Sequence, residues 1–255
     1  MSKISERLSK LGHTERSGFG FGAQAASTKI PVILVGVNVE DSKSADGIDA
    51  DLFIVAPGKN GAAQADAVKG ANIWGVSVSG GSATEIDAAV EAGADFIIAT
   101  GESAPGAALR DDDTAKGFIV ASDVGEDRSK AIDSGQFEFL ILDGTKIDLP
   151  LTVGSVLDIQ EQLEKYSGHI FLQVTEIPDQ ANLELLRDIG ISVLLYDGKN
   201  TKREDISALR KTIEQIEPKK HKNSGSATLP RASAASEQDD HEDHGEDFDD
   251  DEDWE

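Results

Sequence analysis

The chain has 255 residues, 48 acidic against 24 basic, and a net charge of −24, which suits one large domain and excludes nucleic-acid binding through clustered cations. It contains no cysteine, so disulfides and thiolate-bound metals are excluded, and no stretch approaches the roughly 20 apolar residues that span a bilayer. The first residues lack the apolar core of a signal peptide, so a cytoplasmic protein without membrane attachment is expected.

Residues 1–28 form an N-terminal arm. In it Ile4, Leu8 and Leu11 recur at helical spacing and predict a short amphipathic helix ending at Gly12. The glycine-rich stretch Ser17-Gly18-Phe19-Gly20-Phe21-Gly22-Ala23 follows, as a loop that plugs the bottom of the domain or folds over its top.

From 29 to 217 short apolar runs alternate with helical segments. The runs are 30–37, 52–56, 73–78, 96–99, 118–121, 139–142, 170–174 and 192–196. They are rich in Val, Ile, Leu and Phe and mostly lack period-two alternation, which marks parallel strands buried on both faces. Between them, Ser82-Ala83-Thr84-Glu85 is a capping-box pattern opening a helix that stops at Gly93. Further helices are predicted over 129–134, 156–166, 179–189 (closed by Gly190) and 203–216, before Pro218. Eight strands favour a single closed (βα)8 barrel of the TIM type over an open doubly wound sheet, which usually has fewer. The phrase Ala50-Asp51-Leu52-Phe53-Ile54 echoes Ala94-Asp95-Phe96-Ile97-Ile98 two strands later.

From 218 to 255 the chain has nothing to build a core, and a disordered linker and acidic tail are expected. Lys219-Lys220-His221-Lys222 is a brief basic cluster; 237–255 holds 13 of the acidic residues and no Lys or Arg. Phe248 and Trp254, embedded in acid, would serve to dock a basic protein partner, or simply ride on a solubilising tail.

The stretches Glu91-Ala92-Gly93-Ala94-Asp95-Phe96-Ile97-Ile98 and Gly75-Val76-Ser77-Val78-Ser79-Gly80-Gly81 resemble those of the aldolase-type barrel superfamily, many of whose members bind phosphate or flavin. The resemblance spans 29–216 and is one of fold, without a specific family. It implies a site at the C-terminal ends of the strands, in the βα loops. The residues expected there include Asn38, Glu40, Lys59, Ser77 and Thr100.

Three constellations at that mouth carry chemistry. Asp123, Asp143, Glu176 and Asp197 are expected to end strands five to eight on one arc, as general acid and base or as oxygen ligands of Mg²⁺; the alternative is that each caps a loop or helix. Ser79-Gly80-Gly81-Ser82 runs into a helix N-terminus, and Gly198-Lys199 follows the last strand, both being places to hold a phosphate such as that of FMN; the alternative is ordinary tight turns. The loop Thr175-Glu176-Ile177-Pro178-Asp179 is acidic and lacks glycine, so half of the usual phosphate grip is missing. No predicted strand contains a lysine, which disfavours a Schiff-base aldolase, and no histidine falls at a strand end, which disfavours a zinc hydrolase. Two functions fit. One is binding or conversion of a small anionic, phosphorylated metabolite at the mouth; the other is a non-catalytic scaffold whose tail docks a basic partner.

Overall fold

Apolar residues on both faces of a short run are buried on both sides where helices cover both faces of an open sheet, or where the sheet closes on itself and helices cover its outside. A computed structural model of the protein describes residues 2–13, 30–40, 45–56, 68, 70–80 and 82–219. In it eight parallel strands close into a barrel in sequence order. They are β1 Leu34–Val39, β2 Leu52–Val55, β3 Trp74–Val78, β4 Phe96–Ala99, β5 Ala115–Ile119, β6 Phe139–Asp143, β7 His169–Gln173 and β8 Ile191–Asp197, with β8 paired to β1. The described helices are α1 Lys3–Ser9, ahead of the barrel, then α2 Ala83–Glu91, α3 Glu126–Asp133, α4 Val153–Leu163, α5 Gln180–Ile189 and α6 Arg203–Gln215. Between β4 and β5 there is a single 3₁₀ turn, Gly106–Leu109.

Alternate residues of each strand feed two separate cores. In β6, Phe139 and Ile141 belong to the inner core, while Leu140 and Leu142 join the outer one under the helices. The inner core is filled by rings: Phe139 stacks on Phe171 at 4.2 Å between centroids and meets Phe96 edge-on at 5.6 Å. These rings need space on neighbouring strands, and glycine supplies it. A Cβ at Gly117 would overlap the Phe139 ring, and one at Gly75 would overlap Phe96.

The bottom of the barrel is closed by α1. Ile4 and Leu8, 0% and 2% exposed, belong to the inner core. A helix this short does not hold together alone, and its free N–H groups are met from outside it. Asp95 accepts the amides of Lys3 and Ile4, both at 2.7 Å, and the Ser2 hydroxyl accepts that of Ser5 at 3.2 Å. The echoed Asp51 has a matching duty. Its carboxylate accepts the Val35 amide at 2.9 Å and pairs with Arg210 of α6 at 3.0 Å. Both aspartates precede a strand, so the sequence echo is an echo of bottom-face fastenings.

Several strand edges differ from the sequence reading, and the shifts matter for the site. β5 starts and ends earlier than the run 118–121, so it contains Lys116. Alternation from Ala115 in the inner core turns Lys116 to the outside, where it is 6% exposed and lies 3.6 Å from Asp112. The expectation of a strand set without lysine is thus corrected, although this lysine faces away from the barrel interior. β1 begins later than 30 and includes Asn38; β8 extends to include Asp197. α3 begins three residues before 129 and α4 three before 156, because Gly125 and Thr152 take the extended cap conformation. Gly190, at φ 103°, ends α5 in the left-handed region. The loop 17–23 and the chain from 220 onward, including the acidic tail, lie outside the described residues; the compact unit runs from Met1 to Lys220. Among the described residues no helix is long and apolar enough to cross a membrane.

Candidate functional site

A residue at a strand's C-terminal end, in phase with the inner core, points into the barrel mouth. Counting by twos from Gly36, Gly75, Ile98, Phe171 and Leu195 gives Asn38, Ser77, Thr100, Gln173 and Asp197. These five residues line one cavity of about 250 Å³. Its floor is apolar, made by Ile54, Ile98, Ile119, Ile141 and Leu195, and Glu40 stands at its edge.

All five polar residues are partly buried. The Thr100 hydroxyl donates to the Val78 carbonyl at 3.2 Å. The side chains of Asn38, Ser77 and Gln173 form no hydrogen bond with any other described residue. No buried side-chain polar atom lacks a partner among the described residues, so these half-buried groups, open to solvent through the cavity, are ones that water or a ligand can satisfy. Asp197 accepts the Lys199 amide at 3.0 Å on one oxygen and the Asn200 side-chain amide at 2.5 Å on the other. A carboxylate has about four lone-pair sites, so it retains capacity for a further donor. Across the seam between β1 and β8, the Lys199 ammonium is paired with Glu40.

The four carboxylates expected on one arc are not gathered. Asp123 is exposed and lies four residues beyond the end of β5, since that strand stops earlier than its apolar run. Asp143 closes β6 but folds onto its own loop, accepting the Thr145 amide at 2.9 Å and hydroxyl at 2.6 Å. That hydroxyl, with the amide, holds the Asp143 carboxyl below the usual carboxylate range. Glu176 accepts the Leu149 amide at 3.2 Å. Only Asp197 of the four lines the cavity. Among the described residues no three His, Cys, Asp or Glu converge to hold a metal, so the Mg²⁺ arrangement expected of these carboxylates is not formed.

Of the loops expected to grip phosphate, the one after β8 uses its amides internally. After β8, Gly198 donates to the Asn38 carbonyl at 2.9 Å, Lys199 to the Asp197 carboxylate, and Asn200 and Thr201 to the Asp197 carbonyl at 3.1 and 3.0 Å. The amide of Ser82, which caps α2, donates to Glu85 at 3.1 Å, and that carboxylate already places negative charge at the helix start. Ser79 and Gly80 are exposed, and the Ser79 carbonyl accepts the Ser103 hydroxyl at 3.0 Å. Lys59 and Gly81 lie outside the described residues. At about 250 Å³ the cavity falls below the roughly 300–1,000 Å³ of pockets that enclose drug-sized ligands. A molecule as large as FMN would project from it.

A second cavity, of about 190 Å³, lies outside the barrel beneath the 3₁₀ turn, among Ala104, Ala108, Phe118, Ile132 and Phe137. The single turn covers β4 and β5 less fully than a helix does, which leaves this gap. Its lining is mostly apolar, with the Arg128–Glu102 pair (2.7 Å) at the rim and no converging set of unpaired polar groups. The mouth is therefore the better candidate.

Of the five polar residues at the mouth, Asn38, Ser77, Thr100 and Asp197 are named from the sequence and Gln173 is not. Its signal was present: Gln173 is two residues beyond Phe171, but the apolar run was extended to Val174, which hid the polar residue inside a strand.

No protein-family profile matches the chain, and no curated protein matches it in sequence. Its fold does match solved structures. The 3-keto-L-gulonate-6-phosphate decarboxylase of Vibrio cholerae is similar at TM-score 0.55 and 14% identity, over 73% of this chain and 99% of that one. A mutant tryptophan synthase alpha-subunit from Pyrococcus furiosus is similar at TM-score 0.55 and 13% identity, over 72% and 97%. Thiamine phosphate pyrophosphorylase from Pyrococcus furiosus is similar at TM-score 0.51 and 13% identity, over 71% and 95%. At these identities the likeness is one of fold, and the fold is the aldolase-type (βα)8 barrel.

Proposed function

We propose that the barrel mouth binds a small phosphorylated metabolite, held by Asn38, Ser77, Thr100, Gln173 and Asp197. The observation that carries this reading is the set of side chains on Asn38, Ser77 and Gln173 that lack partners among the described residues and share one cavity. Such a ring offers donors and acceptors to hydroxyl and carbonyl oxygens, over an apolar floor that accepts the faces of a carbon chain. The size of the cavity restricts the buried part of the ligand to a small molecule. The names of two fold relatives, a 3-keto-L-gulonate-6-phosphate decarboxylase and a thiamine phosphate pyrophosphorylase, support a phosphorylated ligand by analogy of fold. With the amides of the loop after β8 occupied, the cation beside the cavity for a phosphate is, among the described residues, Lys199, after it leaves Glu40. The scaffold reading, in which the acidic tail docks a basic partner, leaves the unpaired mouth residues without a purpose.

Thermal unfolding with a panel of small sugar phosphates tests the proposal. A ligand present at a hundred times its Kd stabilises by about 2.7 kcal/mol, so at least one member should raise the Tm measurably at millimolar concentration. A flat response to every member, together with a flat response to the parent sugars, would remove the proposal.

A further inference from the structure

The ring at the mouth is chemically one-sided, and this fixes which end of a ligand it accepts. A phosphate seeks N–H donors and positive charge. The lining offers neutral donors, the amides of Asn38 and Gln173 and the hydroxyls of Ser77 and Thr100, but among the described residues no cation, and it sets them beside the Asp197 carboxylate, with Glu40 at the edge. Both carboxylates repel an anion that enters deeply. The amides of the loop after β8 are spent on Asn38 and Asp197, and Lys199, exposed at the rim, is paired with Glu40.

Hydroxyl groups fit this lining in both directions. A ligand O–H donates to the Asp197 carboxylate or to an amide carbonyl, while its oxygen accepts from an amide NH₂. The floor residues Ile98, Ile119 and Ile141 take up the C–H faces. The cavity equals about eight waters at roughly 30 Å³ each, room for one short hydroxylated chain.

Resting on the reading above, we infer that the metabolite enters with an uncharged, hydroxyl-bearing carbon chain first, and that its phosphate stays at the rim beside Lys199. The mouth is thus a polyol pocket with a phosphate at its lip, and the phosphate adds affinity without being needed for binding. Asn38 and Gln173 select for hydroxyls, and Asp197 excludes chains that are oxidised to a carboxylate at the buried end.

The full-length protein is titrated, with binding followed by amide NMR shifts, with glycerol, ribitol, ribitol phosphate and inorganic phosphate. Ribitol or glycerol is expected to bind at the mouth, ribitol phosphate to bind more tightly, and inorganic phosphate to leave the polyol in place. Gln173→Leu should weaken polyol and polyol phosphate alike by about threefold to tenfold, the worth of one hydrogen bond. Ser77→Ala, a smaller change, repeats the test if the leucine variant melts early. Lys199→Met should weaken ribitol phosphate alone. Competition between inorganic phosphate and the polyol, or binding of ribitol phosphate without ribitol, overturns the orientation while leaving a phosphorylated ligand standing. No binding by any of the four overturns both.

Discussion

At the scale of single residues, the mouth and the bottom of the barrel obey opposite rules. Polar groups at the bottom are paired: Asp51 with the Val35 amide and Arg210, Asp95 with the start of α1. At the mouth three have no partner among the described residues. His169, the first residue of β7, belongs to the bottom set and touches the Ser192 hydroxyl at 3.2 Å. Burial holds its imidazole below the ordinary value of 6.5, with the nearby Glu138 carboxylate pulling the other way. The folded protein therefore binds fewer protons at this site than the unfolded chain, so the stability present above pH 6.5 is lost as pH falls toward the depressed value. Because the ring is only partly buried, solvent screening keeps the loss small. Urea denaturation of the wild type and of His169→Gln should show the wild type losing more stability between pH 6.5 and about pH 5, above the range where carboxylates dominate. Parallel losses in the two proteins would mean that His169 does not titrate differently on folding.

At the scale of elements, the sequence was most readable where a pattern is repeated and least where an edge decides the outcome. All eight apolar runs became strands, since each carries residues for both cores. Gly190 placed the end of α5, because its signal is local, and Asp179, read as the first helical residue, is the N-cap instead. β5 slipped toward the N-terminus because Ala115, Lys116 and Gly117 do not read as apolar; their places are set by Phe139, which needs Gly117 beside it. That slip carried Asp123 out of the mouth. The carboxylate arc failed for a related reason: Asp143 finds a nearer donor in its own loop and Glu176 in the neighbouring loop after β6, a competition that spacing does not reveal. The short helix at Ile4 and Leu8 was legible from its spacing, and the role of Asp95 in holding it was not, since the two are joined only by the fold. Asp95→Ala should cost about 1–2 kcal/mol, the range of a lost helix cap, and should raise hydrogen exchange across Lys3–Ser9 without loosening β4. Unchanged exchange in α1 would show that its apolar face alone holds it.

At the scale of the molecule, one fold separates stability from recognition. The plugged end carries the Asp51–Arg210 pair and the Asp95 cap of α1, while the open end, with its Lys199–Glu40 pair, carries a small cavity lined by polar groups. This division is general to (βα)8 barrels, and here it rests on named contacts at both ends. The central claim is that the open end is the ligand site, and amide NMR on the full-length protein tests it most directly. On titration with a sugar phosphate that raises the Tm, shifts should concentrate at Asn38, Ser77, Thr100, Gln173 and Asp197. Shifts confined to the apolar cavity at Phe118 and Phe137, or to α1 at the opposite end, would contradict the account.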